Sequence, residues 1–436
     1  MTSHGHTREA PRSHPEDPTR AGSTRRTPFP VAIAIMALAV FVPIALGLRD
    51  GGLRTFSYAA IAVIVLLLLV GVGRRPRYAE LWVIFAVAAA AAGVTSSGRS
   101  GLSAALPEGL AIAVLSAFGV FAARGVVARY PGSPRLVCYA FVLSQTFSAA
   151  YGVLQTTGLL IGDYTTVNGR STGFAGHPNI LGLMSGIVIA LCLHAIVSRL
   201  GRPKGLVPAA VGLLAINVAA LIASGSTSSM IATTLGVLVI VAGSRVSLGR
   251  AITLVTIVIA GAIAFAVSPL AEAAFTNPLD RLAQVTGQAG GAATFLDRIN
   301  TVVYALDYIA TEPFLGRGMS DLDAPSWNNV FVHNLPVRAW YQGGIVFGAA
   351  TVALYIAVAL VAVRAIRTSR DVAAAATLVA IFGFAFTSAM WSQVYYWLPV
   401  VFAWGTLGRI GGELGDKPRG LPDGSRSRRH QLFTST

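Results

Sequence analysis

The sequence predicts an all-α polytopic membrane protein, and three observations carry that prediction. Of 436 residues, 54% are hydrophobic and only 12% charged, with a mean hydropathy of +0.66. A soluble domain carries roughly 25% charged residues, so about half the charge needed to coat a water-facing surface is missing. Apolar stretches of about 17 to 25 residues, each long enough to cross roughly 30 Å of hydrocarbon, recur about twelve times. The basic residues are confined largely to alternate loops between those stretches.

In chain order the expected spans are 30–48, 55–72, 78–96, 108–127, 136–161, 179–198, 206–223, 228–243, 251–268, 343–363, 372–391 and 395–407. Residues 1–28 are polar, Pro-rich and charged, and read as a disordered cytoplasmic tail, not a secretory signal. Residues 29–410 form the transmembrane domain, including a long external loop over 269–342, and 411–436 form a second disordered, basic cytoplasmic tail. With the N-terminus inside, 25 of the 33 Lys and Arg residues fall in the tails and alternate loops that face the cytoplasm. Cytoplasmic loops of membrane proteins carry the Lys and Arg. The net charge of +15 is therefore a topogenic signal, and no nucleic-acid partner is needed to explain it. Cys138 and Cys192 both lie in apolar runs and read as small buried hydrophobes.

Ionisable groups within spans mark transporters and proton relays. Here Glu80 and Asp371 fall at cytoplasmic ends and His194 close to one, which weighs against an ion-coupled transporter and places any chemistry on the external face. Arg49, Arg54 and Arg99 sit in short external loops, where solvation accounts for them. Arg170, Arg281, Arg298, Arg317 and Arg338 sit in two long external segments, 162–178 and 269–342. The first segment ends Arg-Ser-Thr-Gly-Phe-Ala-Gly-His-Pro-Asn over 170–179, with Pro178 suited to a first helical turn. Free N–H groups there favour an anion, and Gly173 and Gly176 permit close approach of a ligand; a plain helix cap with a solvated Arg170 and His177 is the alternative. The second segment predicts an amphipathic helix over 294–311, with Phe295, Ile299, Val302, Val303, Leu306 and Ile309 on its apolar face. Arg298, Thr301, Tyr304 and Asp307 lie on the polar face, and Pro313 ends the helix. A Pro-Phe-Leu-Gly-Arg-Gly turn follows, then Asp321 and Asp323, then His333, whose imidazole suits a general base near neutral pH. Two acids at i, i+2 in a loop are common, so no metal is expected at Asp321 and Asp323. Gln145, Ser148, Gly152 and Gln155 form a polar stripe that either lines a groove or packs on a neighbour. Trp391, Tyr395, Tyr396 and Trp397 read as an interfacial aromatic belt.

Taken in order, these features resemble the O-antigen ligase family, whose superfamily includes O-antigen polymerases. The patterns that carry the resemblance are Arg170 to Asn179, Arg298 to Gly318, His333-Asn334 followed by Gly344, and the serine-rich turn over 224–229. Two departures stand out: Gln342 occupies a position commonly acidic in that family, and Phe347 one commonly small. The resemblance implies transfer of a glycan from a polyprenyl-pyrophosphate carrier to an acceptor hydroxyl at the external face of a bacterial plasma membrane. Both termini would be cytoplasmic, with no cofactor and no metal. Arg170 and Arg298 would clamp the pyrophosphate, since guanidinium binds phosphate in bidentate fashion and stays charged. His333 would take the acceptor's proton, and Arg317, Arg338, His177, Asn179 and Asn334 would contact substrate. The expected partners are the lipid-linked glycan donor, an acceptor glycan, lipid or protein, and membrane lipids. A polymerase of the same chemistry and, from another class, a lipid-linked oligosaccharide flippase or exporter are the competing readings.

Overall fold

The structure is a computed structural model that describes residues 52–96, 98, 100–156, 170–199, 207–244, 249, 293–320, 323, 325–388 and 394–408, with positions 30, 34, 37 and 38. The expected span 251–268, most of 30–48, both tails, Arg49, Arg99, Arg281, Asp321 and Trp391 lie outside the described residues. Within them every regular element is helical, and the one isolated bridge joins Pro325 and Phe331.

The helices are α1 (Gly52–Leu69), α2 (Ala79–Thr95), α3 (Leu102–Arg129), α4 (Ser133–Thr156), α5 (Pro178–Arg199) and α6 (Val207–Ala223). They continue with α7 (Thr227–Gly243), α8 (Ala293–Thr311), α9 (Leu335–Thr368), α10 (Val372–Ala385) and α11 (Val394–Thr406). Four of them, α3, α4, α5 and α9, are long and apolar enough to cross a membrane, and five shorter apolar helices accompany them. Large apolar side chains such as Leu66, Val87, Leu143, Phe147, Val346 and Ile356 face outward. Water would penalise so much exposed apolar surface, whereas lipid accommodates it, so the bundle is membrane-embedded. Inside, Trp82 packs edge-to-face on Phe85, Trp397 and Trp404.

Three expectations need correction. Tyr396 and Trp397 are not an interfacial belt: each is 1% exposed, inside the core. α10 stops at Ala385 in place of 391, where Thr387 turns back to the Phe384 carbonyl. The span expected from 343 begins earlier, at Leu335, because α9 is two helical segments broken at Gly344 (φ 77°, ψ −179°). A break frees backbone groups that must find partners. The turn over 313–318 supplies them: Arg317 and Gly318 N–H donate to the Tyr341 and Gln342 carbonyls (2.7 and 3.0 Å). The Pro313 carbonyl accepts from Ile345 N–H (3.0 Å) and from the Trp340 indole (2.8 Å).

The bundle has two chemically distinct ends. At one, Arg124 donates to the Gly405 and Leu407 carbonyls, the Trp404 indole donates to the Arg77 carbonyl, and Gly408 N–H donates to Asp371. At the other lie the starts of α3, α5, α7 and α9 and the C-terminal end of α10, joined by the contacts described next.

Candidate functional site

The hairpin between α6 and α7 organises the site. Ser226 caps α7, its hydroxyl accepting from Ser229 N–H (3.3 Å), and its backbone neighbours hold three separate segments. Arg170 donates from Nε to the Ser224 carbonyl (2.7 Å) and from Nη2 to the Asn179 side chain (2.6 Å). Ser229 donates to the Asn179 carbonyl (2.9 Å), and Arg298, on α8, donates from Nη1 to the Ser228 hydroxyl (3.1 Å) and the Thr387 carbonyl (3.4 Å). Arg170 and Arg298, 128 positions apart, are thus tied to one serine-rich turn.

His177 precedes the first turn of α5, and its Nδ1 accepts from Asn179 N–H (3.2 Å), so one of the N–H groups expected to face an anion is already partnered. Its pKa is lowered, first by burial and then by the charges of Arg170 and Arg298. His333 lies two residues before α9. Burial pushes its pKa down to about 4, assisted by Arg298, Arg338 and His177 and opposed by the Phe331 backbone. Its Nδ1 is buried without a hydrogen-bond partner among the described residues. Each histidine feels Arg298, His177 feels Arg170, and His333 feels Arg338 as well, so Arg170, Arg298 and Arg338 form one cationic cluster around the two imidazoles.

Other predicted residues are placed differently. Asn179 and Asn334 serve architecture. Asn179 braces Arg170, while Asn334 caps α9 by accepting from Val337 N–H (3.0 Å) and donates to the Phe386 carbonyl (3.2 Å). Arg338 is buried, stacked over Phe331 at 4.8 Å, and donates to Gln342 (2.6 Å), whose amide in turn reaches the Gly318 carbonyl (3.1 Å). Because Gln342 is neutral, that hydrogen bond leaves the positive charge of Arg338 in place. Arg317 stands apart from the cluster, among Tyr304, Tyr308 and Tyr341. Asp323 is buried and accepts from Ser100 (2.5 Å) and Ser320 (2.8 Å), which ties the turn before α3 to the segment after α8. Among the described residues no three His, Cys, Asp or Glu side chains gather as a metal site.

The polar stripe of α4 does not line a groove. Gln155 accepts from Thr172 and Gly173 N–H (3.1 and 2.8 Å), Ser148 accepts from Phe174 N–H (3.0 Å), and Gln145 donates to Ser185 (2.9 Å). Gly173 (φ 54°) approaches α4, not a ligand: a Cβ there would meet the Ser148 carbonyl at 2.7 Å. The stripe is the bed on which the Arg170 segment rests. Nothing in the sequence marks Thr387 as a partner of Arg298, and Ser228 stands out only as part of the serine-rich turn over 224–229.

No protein-family model matches the chain, and no curated protein does. The chemistry of the site therefore has to be read from its own residues.

Proposed function

We propose that the chain is a glycosyltransferase that moves a glycan from a polyprenyl-pyrophosphate carrier to an acceptor hydroxyl, in the manner of an O-antigen ligase or polymerase. The reading includes about twelve spans in a bacterial plasma membrane, both termini cytoplasmic and the site at the external face. What carries it is the convergence of Arg170, Arg298 and Arg338 on two histidines at one end of a membrane bundle. Such a cluster repels cations and suits a dense anion held at the headgroup level. A lipid pyrophosphate is one, and its chain enters from the bilayer.

The step breaks the bond between the anomeric carbon and the carrier's pyrophosphate oxygen and forms a bond from that carbon to the acceptor oxygen. The acceptor's proton passes to neutral His333, and the electron pair leaves with the pyrophosphate, whose growing charge Arg170 and Arg298 stabilise. Nδ1 of His333, buried and without a hydrogen-bond partner among the described residues, would receive that proton on contact with substrate.

The test supplies purified protein with a polyprenyl-pyrophosphate oligosaccharide and candidate acceptors and measures release of polyprenyl pyrophosphate. Arg170→Ala and Arg298→Ala should each lower turnover roughly 10²- to 10³-fold, the usual cost of one lost oxyanion donor. His333→Ala should abolish transfer with membrane insertion intact. Full activity in all three variants overturns the assignment.

A further inference from the structure

A second site lies further along α8 from the cationic cluster. A cleft of about 300 Å³ is lined by Gly98, Tyr304, Tyr308 and Arg317. Tyr304 and Tyr308 are four residues apart on α8 and so lie one above the other on a single face. Arg317 arrives from the turn over 313–318, donating from Nη1 to the Tyr304 hydroxyl (3.2 Å) and the Tyr341 hydroxyl (2.5 Å). Its guanidinium stands over the Tyr308 and Tyr341 rings at 6.0 and 5.7 Å. Gly98 (φ 49°) closes the cleft with bare backbone: a Cβ there would strike the Arg317 carbonyl at 2.0 Å.

The chemistry of these walls is specific. Tyr304 is 37% exposed, an aromatic surface turned toward the cleft and not into the core. Among the described residues Arg317 has no carboxylate at ion-pair distance, since Glu312 is taken by the Tyr308 hydroxyl (2.8 Å) and Asp323 by its two serines. Hydrogen bonds to phenols fix the guanidinium's plane without neutralising its charge. A fork so oriented, with tyrosine rings around it, fits a planar carboxylate attached to a ring that offers hydroxyls and an apolar face. Along the α8 axis Tyr304 and Tyr308 stand roughly 9 and 15 Å beyond Arg298 at 1.5 Å per residue, a distance that an oligosaccharide spans and a single reacting hydroxyl does not.

We infer that the Tyr304–Tyr308–Arg317 cleft is a saccharide subsite that recognises a carboxylate-bearing sugar, such as a uronic acid, in the glycan handled at the cationic cluster. The subsite deepens the proposed glycosyl transfer and rests on it for the role of the bound glycan, although binding itself requires no transfer.

The test separates the two. Full-length protein in nanodiscs of uncharged lipid is titrated calorimetrically with a carrier-free oligosaccharide containing glucuronate and, in parallel, with its carboxyl-reduced counterpart. The acidic form should bind at least tenfold more tightly. Arg317→Gln should weaken its binding roughly ten- to a hundredfold, the range for one lost hydrogen bond to a charged group. Tyr304→Leu, which removes an exposed ring and leaves the Arg317–Tyr341 bond, should also weaken it, with no change in thermal midpoint. Equal binding of the two oligosaccharides, or unaltered binding in both Arg317→Gln and Tyr304→Leu, overturns the subsite. Loss of oligosaccharide binding when phosphatidylglycerol enters the nanodisc overturns it too, in favour of a lipid-headgroup site. Arg317-dependent binding without any carrier release from donor would leave the subsite standing and bring down the transferase reading.

Discussion

His333 is the residue whose chemistry depends most on its neighbours. An ordinary histidine loses its basic form as pH falls through 6.5, but here burial and the charge of Arg298 hold the imidazole neutral down to about 4. In the proposed transfer a base must be unprotonated to accept the acceptor's proton, so the acid limb of kcat/KM, which reports the free protein, should lie well below pH 6.5. A bound pyrophosphate places negative charge beside Arg298 and Arg338 and offsets their repulsion of the imidazolium. The His333 pKa then rises, and with it comes a stronger base. The acid limb of kcat, which reports the donor complex, should therefore fall at a higher pH than that of kcat/KM. Parallel pH profiles of the two parameters check this; coincident limbs would show that bound donor does not act on His333.

At the scale of elements, the decisive feature is the break in α9. Gly344 adopts a conformation closed to side chains, and a Cβ there would lie 2.0 Å from the Phe314 carbonyl. Gly344→Ala must either expel the turn over 313–318 or straighten the helix, and both strand the carbonyls that Arg317 and Gly318 N–H now satisfy. The expected loss is roughly 3 kcal/mol or more, from strain and displaced packing together, read as a lowered thermal midpoint with weakened oligosaccharide binding. This break was not legible in the sequence. Gly344 stands at the edge of a long apolar run, and the reason for the kink is a turn some thirty positions earlier. The Gln145-to-Gln155 stripe was ambiguous for a related reason: periodicity gives the face, but only packing reveals that the face meets the Arg170 segment. The helices themselves were legible because hydropathy acts locally, and α8, Ala293–Thr311, lies within a residue of the predicted 294–311. Arg170 and Arg298 stood out as cations away from the cytoplasmic loops in a chain with so little charge, and His333 as the one histidine of its segment. Their common anchor, the serine-rich turn, was visible as a motif, but nothing in the sequence said that both arginines are tied to it.

For the whole molecule, the two ends of the bundle bear on which donor the proposed transfer could use. Arg74, Arg77, Arg124, Arg129 and Arg370 lie in or beside the loops at the end opposite His177 and His333, and that asymmetry follows the rule that basic loops stay in the cytoplasm. If it holds, the cationic cluster faces a compartment without nucleotide sugars, and an activated glycan can reach it only on a membrane carrier. Cysteine labelling checks the orientation after Cys138 and Cys192 are replaced by serine. Ser103→Cys and Thr311→Cys, exposed at the histidine end, should react with a membrane-impermeant maleimide on intact cells. Arg74→Cys, Arg129→Cys and Arg370→Cys, exposed at the other end, should react only after permeabilisation. The reverse pattern would put the histidines in the cytoplasm, where soluble sugar nucleotides are at hand. The argument from location for a lipid-linked donor would then fail, even though the same arginines would still bind a pyrophosphate.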